Sequence, residues 1–125
     1  MAIPTNASSI STFDGIHAVS PALERYTTDV LLGDLWNRPQ LSSRDRSLAT
    51  LSTVVATGQF AQLASYISRA MDNGLTRKQM SEVMTQLAFY SGWSSAFTAL
   101  PIVKDVFEKR PGNRETHAYE PFAAR

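Results

Sequence analysis

The chain has no cysteine. Disulfides, thiolate metal sites, iron–sulfur clusters and thiol nucleophiles are therefore excluded. It also has little excess of either charge: 12 Lys and Arg stand against 11 Asp and Glu, a formal net charge of +1. The basic residues are scattered among acids rather than massed, so no nucleic-acid partner is expected. No run approaches the roughly 18 apolar residues that a membrane span requires. The opening MAIPTNASSISTF has no cationic stretch followed by an apolar one, so it does not read as a secretory signal. A cytoplasmic protein with no membrane partner is the expectation. Histidine is scarce as well, with only His17 and His117. No segment alternates in the manner of a strand.

What is present is helical. At 125 residues and 43% hydrophobic content the chain is long enough for one core. Residues 1–18 read as an N-terminal arm, 19–110 as a helical domain and 111–125 as a polar tail carrying Tyr119 and Phe122. Ser20-Pro21 opens a helix whose apolar residues Leu23, Tyr26, Val30, Leu31 and Leu35 recur at three- and four-residue steps. Asn37-Arg38-Pro39 ends it, because the residue before proline avoids the helical region. Ser42 or Ser43 caps a second helix, with Asp45 in its first turn and Leu48, Leu51 and Val55 along one line. A third carries Phe60, Leu63, Ile67, Ala70 and Met71 and stops at Asn73-Gly74. Thr76 with Gln79 forms a capping box for a fourth, which buries Met80, Val83, Met84 and Leu87. The last, from about Ser94 to Lys109, shows Phe97, Leu100, Val103 and Phe107. The fold class is all-α, about five to six helices with a central antiparallel helical hairpin.

Four pieces occur in this order: Trp36-x-Arg38-Pro39, Arg44-x-Arg46-Ser47-Leu48, Asn73-Gly74-x-Thr76 and Tyr90-x-Gly92. Together they resemble the carboxymuconolactone decarboxylase family, small all-helical proteins related to alkylhydroperoxidase D. The resemblance covers roughly residues 19–110. It implies an alkylhydroperoxidase D-like bundle, a homo-oligomer (trimer or hexamer) and a small site between helices near subunit contacts. By helix register the peroxidase branch's Cys-x-x-Cys pair falls on Gln59 and Gln62, its His on Tyr66 and its Glu on Ser47. A thiol peroxidase without thiols is impossible. The decarboxylase branch is closer. It commonly has His where Tyr66 and Gln86 stand here and Pro where Ser94 stands, while the residues at Arg44, Arg46 and Glu82 are retained.

The reaction implied by that branch removes CO2 from a carboxylated butenolide lactone. The electrons left behind pass through the ring double bond to the lactone carbonyl, so no metal or organic cofactor is needed. Such a site binds carboxylates, stabilises charge on an oxygen and protonates a carbon. Arg holds a carboxylate with two parallel hydrogen bonds. The residues assigned to catalysis are Tyr66, Glu82 and Arg46; those assigned to substrate binding are Arg44, Gln62, Gln86 and Trp93. Glu82 and Gln86 share a helix face, as do Gln59, Gln62 and Tyr66. If the hairpin apposes these faces, a polar pocket forms with Arg46 nearby.

Each residue also has a structural explanation. Arg44 and Arg46 flank Asp45 at a helix start, where an ion pair accounts for them. Glu82 fits a solvated carboxylate, and Tyr66 a packed aromatic with a satisfied hydroxyl. Trp36 and Trp93 fit core or interface anchors, and Phe89 and Tyr90 fit the packing of the hairpin. Two functions follow. One is a cofactor-independent lyase, or a related isomerase or cyclase, acting on a small oxygenated or carboxylated metabolite such as a lactone. The alternative is a non-catalytic small-molecule-binding or structural homologue.

Overall fold

Residues 15–19 are helical although 1–18 reads as an arm in the sequence, and Ser20 and Pro21 then start a new helix at the point the sequence predicts. In the computed structural model, which describes residues 15–110, the Ser20 hydroxyl accepts the Leu23 N–H at 3.2 Å and Pro21 occupies the first turn. His117, Tyr119 and Phe122 lie outside the described residues, as does most of the N-terminal arm. The described residues are helical with no strand, the all-α bundle that the resemblance implies. They fall into two compact units, one ending at Ser43 and the other beginning at Arg44.

In the first unit, α1 (Pro21–Arg25) runs into a π-helical stretch, Tyr26–Leu32. Periodicity alone gave no sign of that wider winding. Gly33 follows where a Cβ would stand 2.7 Å from the Asp29 carbonyl oxygen, so any larger residue would force the turn open. A 3-10 turn, Leu35–Asn37, comes next, and Asn37 Nδ2 donates to the carbonyls of Leu32 and Gly33 at 3.0 and 3.1 Å. Arg38 is extended (ψ 133°), as its place before Pro39 requires. It reaches back to Asp34, Nε to Oδ1 at 3.0 Å and Nη2 to Oδ2 at 2.9 Å. Nearby, exposed His17 pairs with Glu24. The apolar line read in this helix does not turn inward. Leu23, Tyr26, Val30 and Leu31 are all exposed, whereas Trp36 is buried.

The second unit holds α2 (Ser43–Ala56), a 3-10 turn at Phe60–Gln62, α3 (Leu63–Asp72), α4 (Arg77–Ser91) and α5 (Trp93–Lys109). Its core is built from Leu51 and Val55 of α2, Leu63 and Ile67 of α3, Met80 and Met84 of α4, and Ala99, Val103 and Val106 of α5. Leu51, Leu63, Ile67 and Met80 are fully buried. Each contributes about 1.5–3 kcal/mol through removal of apolar surface from water. The Thr76–Gln79 box forms in both directions, at 3.1 and 3.0 Å.

The α4–α5 pair is the most closely packed, with α3 against α5 next. A single residue, Gly92, joins α4 to α5 at φ +96°, a left-handed backbone that a side chain rarely tolerates. The register of α5 corrects the sequence reading. Val103 is buried and Phe107 half-buried, but Phe97 and Leu100 point outward while Ala96 and Ala99 take the inner face. Small residues let two backbones approach closely, and the aromatics occupy the opposite side. Phe89 and Tyr90, expected within the hairpin, are exposed for the same reason.

Two arginines close the far end of this unit. Arg77 Nη2 donates to the carbonyl oxygens of Phe107 at 2.8 Å and Arg110 at 3.4 Å, with its guanidinium 5.1 Å from the Phe107 ring centroid. Arg110 donates to Ser68 Oγ at 2.8 Å and to Asp72 Oδ1 at 2.8 Å. Arg77 thus adds a side-chain donor to the last carbonyls of α5, of which that of Phe107 also accepts the Arg110 N–H at 3.4 Å.

Candidate functional site

Arg44, Leu48 and Ser52 follow one another at four-residue steps and form one face of α2. Gln79, Glu82, Val83, Gln86 and Leu87 form a face of α4 at three- and four-residue steps. With Leu75, these residues line a cavity of about 390 Å³ within the second unit. Leu75 and Leu87 are buried, while Gln79, Glu82 and Gln86 are exposed. The lining surface is mainly apolar, although five of the nine lining residues, Arg44, Ser52, Gln79, Glu82 and Gln86, carry polar groups, a combination that suits a small-molecule site.

The polar groups differ in what they can offer. Arg44 Nη1 contacts Asp45 Oδ1 at 3.1 Å, an exposed pair that leaves the other guanidinium N–H groups for a ligand. Gln79 spends its carbonyl oxygen on the Thr76 N–H, so its amide nitrogen is the end left for the cavity. Gln86 can donate or accept but exchanges no proton near neutral pH. Glu82 is the carboxylic acid of the lining, and among the described residues it has no ion-pair partner. No group of three His, Cys, Asp or Glu side chains suited to a metal ion occurs among the described residues.

Of the residues singled out in the sequence, Arg44, Glu82 and Gln86 come together here. Arg46, Tyr66, Gln62 and Trp93 do not line this cavity. Arg46 is two residues beyond Arg44, on the opposite side of α2, and is half-buried. Tyr66 is half-buried and packs against the core, in line with the structural explanation for it. Gln62 is exposed at the end of the 3-10 turn. Trp93 is exposed and sits between Phe89 and Phe97, with ring centroids 5.3 and 5.8 Å away. The pairing of the Gln62–Tyr66 face with the Glu82–Gln86 face is therefore not what forms the cavity; α2 supplies the second wall. Ser52 and Leu75 stand outside the residues that the sequence singles out, where Leu48, Gln79, Val83 and Leu87 read as core or cap residues. The 44–48–52 spacing was the available signal.

Comparison with known proteins shows the family. Residues 21–105 match the Carboxymuconolactone decarboxylase family. The chain is 28% identical over 76 residues to a 4-carboxymuconolactone decarboxylase of Acinetobacter baylyi, covering 61% of this chain and 57% of the relative. It is 29% identical over 94 residues to a nitrosuccinic acid decarboxylase of Metarhizium robertsii, covering 69% and 66%. An uncharacterized 15.0 kDa protein of Paracoccus denitrificans is 25% identical over 89 residues, covering 70% and 66%. The chain thus spans 57–66% of the length of these relatives. With the match running from α1 into α5 and including every residue of the cavity, the chain belongs to the carboxymuconolactone decarboxylase family.

Proposed function

We propose that this protein is a cofactor-independent lyase that decarboxylates a small acid carrying its own electron sink. The observation behind this reading is the convergence of Arg44 from α2 with Glu82 and Gln86 from α4 on one cavity whose surface is mainly apolar. The acids named in the two decarboxylase relatives have different skeletons but share a property. A lactone carbonyl or a nitro group can accept the electron pair left by CO2.

Arg44 anchors a retained carboxylate or the sink oxygen through paired hydrogen bonds. The departing carboxylate lies against Leu48, Val83 and Leu87, where loss of charge is favoured over its retention. Its carbon–carbon bond breaks, CO2 leaves, and the electron pair moves to the sink oxygen. A Gln86 N–H donates to that oxygen as its charge grows. The pair returns to carbon as a C–H bond forms with a proton delivered by Glu82, which recovers one from water. Arg46, Tyr66, Gln62 and Trp93 have no step in this scheme. The exposed Phe89, Trp93 and Phe97 rings support a homo-oligomer, the trimer or hexamer that the family implies.

Gln86 favours a second reading, a binding protein without turnover, because an amide stands where the decarboxylase branch commonly has an imidazole. Incubation with 4-carboxymuconolactone and with nitrosuccinate, followed by NMR, separates the two. Product above the buffer rate that Arg44→Gln removes supports the lyase. Saturable binding with no product supports the binder, and absence of both rejects the cavity as the site.

A further inference from the structure

Ser47 is the one buried polar residue among those described, 4% exposed. Its hydroxyl accepts a hydrogen bond from Asn73 Nδ2 at 2.8 Å. That bond joins α2 to the turn between α3 and α4, and it lies beside the cavity. Arg44 stands one turn before Ser47 on α2, and Leu48 follows it directly. Leu75 is two residues beyond Asn73, and it leads into the helix that carries Gln79 and Glu82.

From Asn73 onward the backbone is held at each step. The Asn73 N–H donates to the Arg69 carbonyl and the Leu75 N–H to the Ala70 carbonyl, both at 2.9 Å. The Thr76–Gln79 box then sets the first turn of α4. On the other side, α2 joins the core through Leu51, Val54 and Val55. Apolar packing of that kind resists separation but is non-directional, so it restrains rotation and sliding of α2 only weakly. A hydrogen bond has a defined length and angle, and losing the buried Ser47 hydroxyl leaves the half-buried Asn73 amide without that acceptor.

We infer that Ser47 and Asn73 are positioning residues that set the span between Arg44 on one wall of the cavity and Glu82 on the other. The inference rests on Arg44 being the carboxylate anchor of the proposed function. Displacing either wall by a fraction of an ångström moves the anchor relative to the groups facing it, and binding is sensitive to such shifts.

The test is titration of the full chain with 2-furoate, a planar five-membered-ring carboxylate, by NMR well below each variant's melting temperature. Ser47→Ala and Asn73→Ala each weaken binding about tenfold, and the double variant loses no more than either alone. Ser47→Thr, which keeps the hydroxyl, restores affinity. Val103→Ala lowers stability through a core cavity in α5 but leaves affinity unchanged. If Ser47→Ala and Val103→Ala affect binding equally while Arg44→Gln abolishes it, the positioning role is wrong and the site stands. If Arg44→Gln has no effect, the anchor and the positioning role fall together.

Discussion

Arg44 and Glu82 face one cavity from two helices, a cation and an acid brought together by tertiary packing alone. In the proposed function a bound carboxylate lies between the Arg44 guanidinium and the Glu82 acid. Replacing Arg44 by Gln should raise the Kd of a small carboxylate such as 2-furoate by one to two orders of magnitude, about 1.5–3 kcal/mol. Glu82→Gln should abolish turnover while leaving ligand binding in place, because an amide carries no proton to carbon. Weaker binding in Glu82→Gln would show that the acid contacts the ligand as a partner.

The capping box at Thr76 satisfies two N–H groups at the start of α4. Thr76→Ala should cost about 1 kcal/mol in urea unfolding, and Thr76→Ser much less, since the hydroxyl is what caps. An unchanged midpoint in Thr76→Ala would show that the first turn is held by packing instead.

Arg77 combines two carbonyl hydrogen bonds with its position over the Phe107 ring. Arg77→Ala should lower stability by about 1–3 kcal/mol. Arg77→Lys should recover only part of it, because a compact ammonium can reach the carbonyls but loses the planar group that lies over the Phe107 ring. Full recovery in Arg77→Lys would mean that charge alone matters there.

The Arg38 hydrogen bonds and charge hold the Asp34 carboxyl below the usual carboxylate range. A depressed folded-state pKa means that the pair's contribution is fully present above the unfolded value, about pH 4, and is lost as pH falls through the lower folded value. Both side chains are exposed, so the effect is small. The melting-temperature difference between wild type and Asp34→Asn should be constant from about pH 7 to 5 and vanish near pH 2. A difference that grew on acidification would contradict this sign.

Phe89, Trp93 and Phe97 form an exposed aromatic row, the first two rings tilted by 59° and the last two stacked at 24°. If it is a subunit contact, Trp93→Glu should reduce the molar mass seen by light scattering while leaving the far-ultraviolet circular dichroism intact. A wild-type monomer would refute the homo-oligomer outright.

The sequence by itself determined several helix boundaries, though not the end of α1, which comes at Arg25 rather than at Asn37. Ser20-Pro21, Asn73-Gly74 and Thr76-x-x-Gln79 act through bonds to residues at most a few positions away, so their chemistry is local and legible. The π-helical winding of Tyr26–Leu32 was not legible, since its spacing differs too little from an α-helix to mark the pattern. Half of the cavity was legible in the same sense: Glu82 and Gln86 share a face of α4 because helix geometry demands it. Which face of another helix meets them depended on the packing. The outward turn of Phe97 was decided the same way, because Ala96 and Ala99 admit a close approach of α4 that bulkier residues would prevent. Tyr66 against the core and Arg44 at the cavity follow from that arrangement. Periodicity specifies a face, but only the competition among faces for burial specifies its partner.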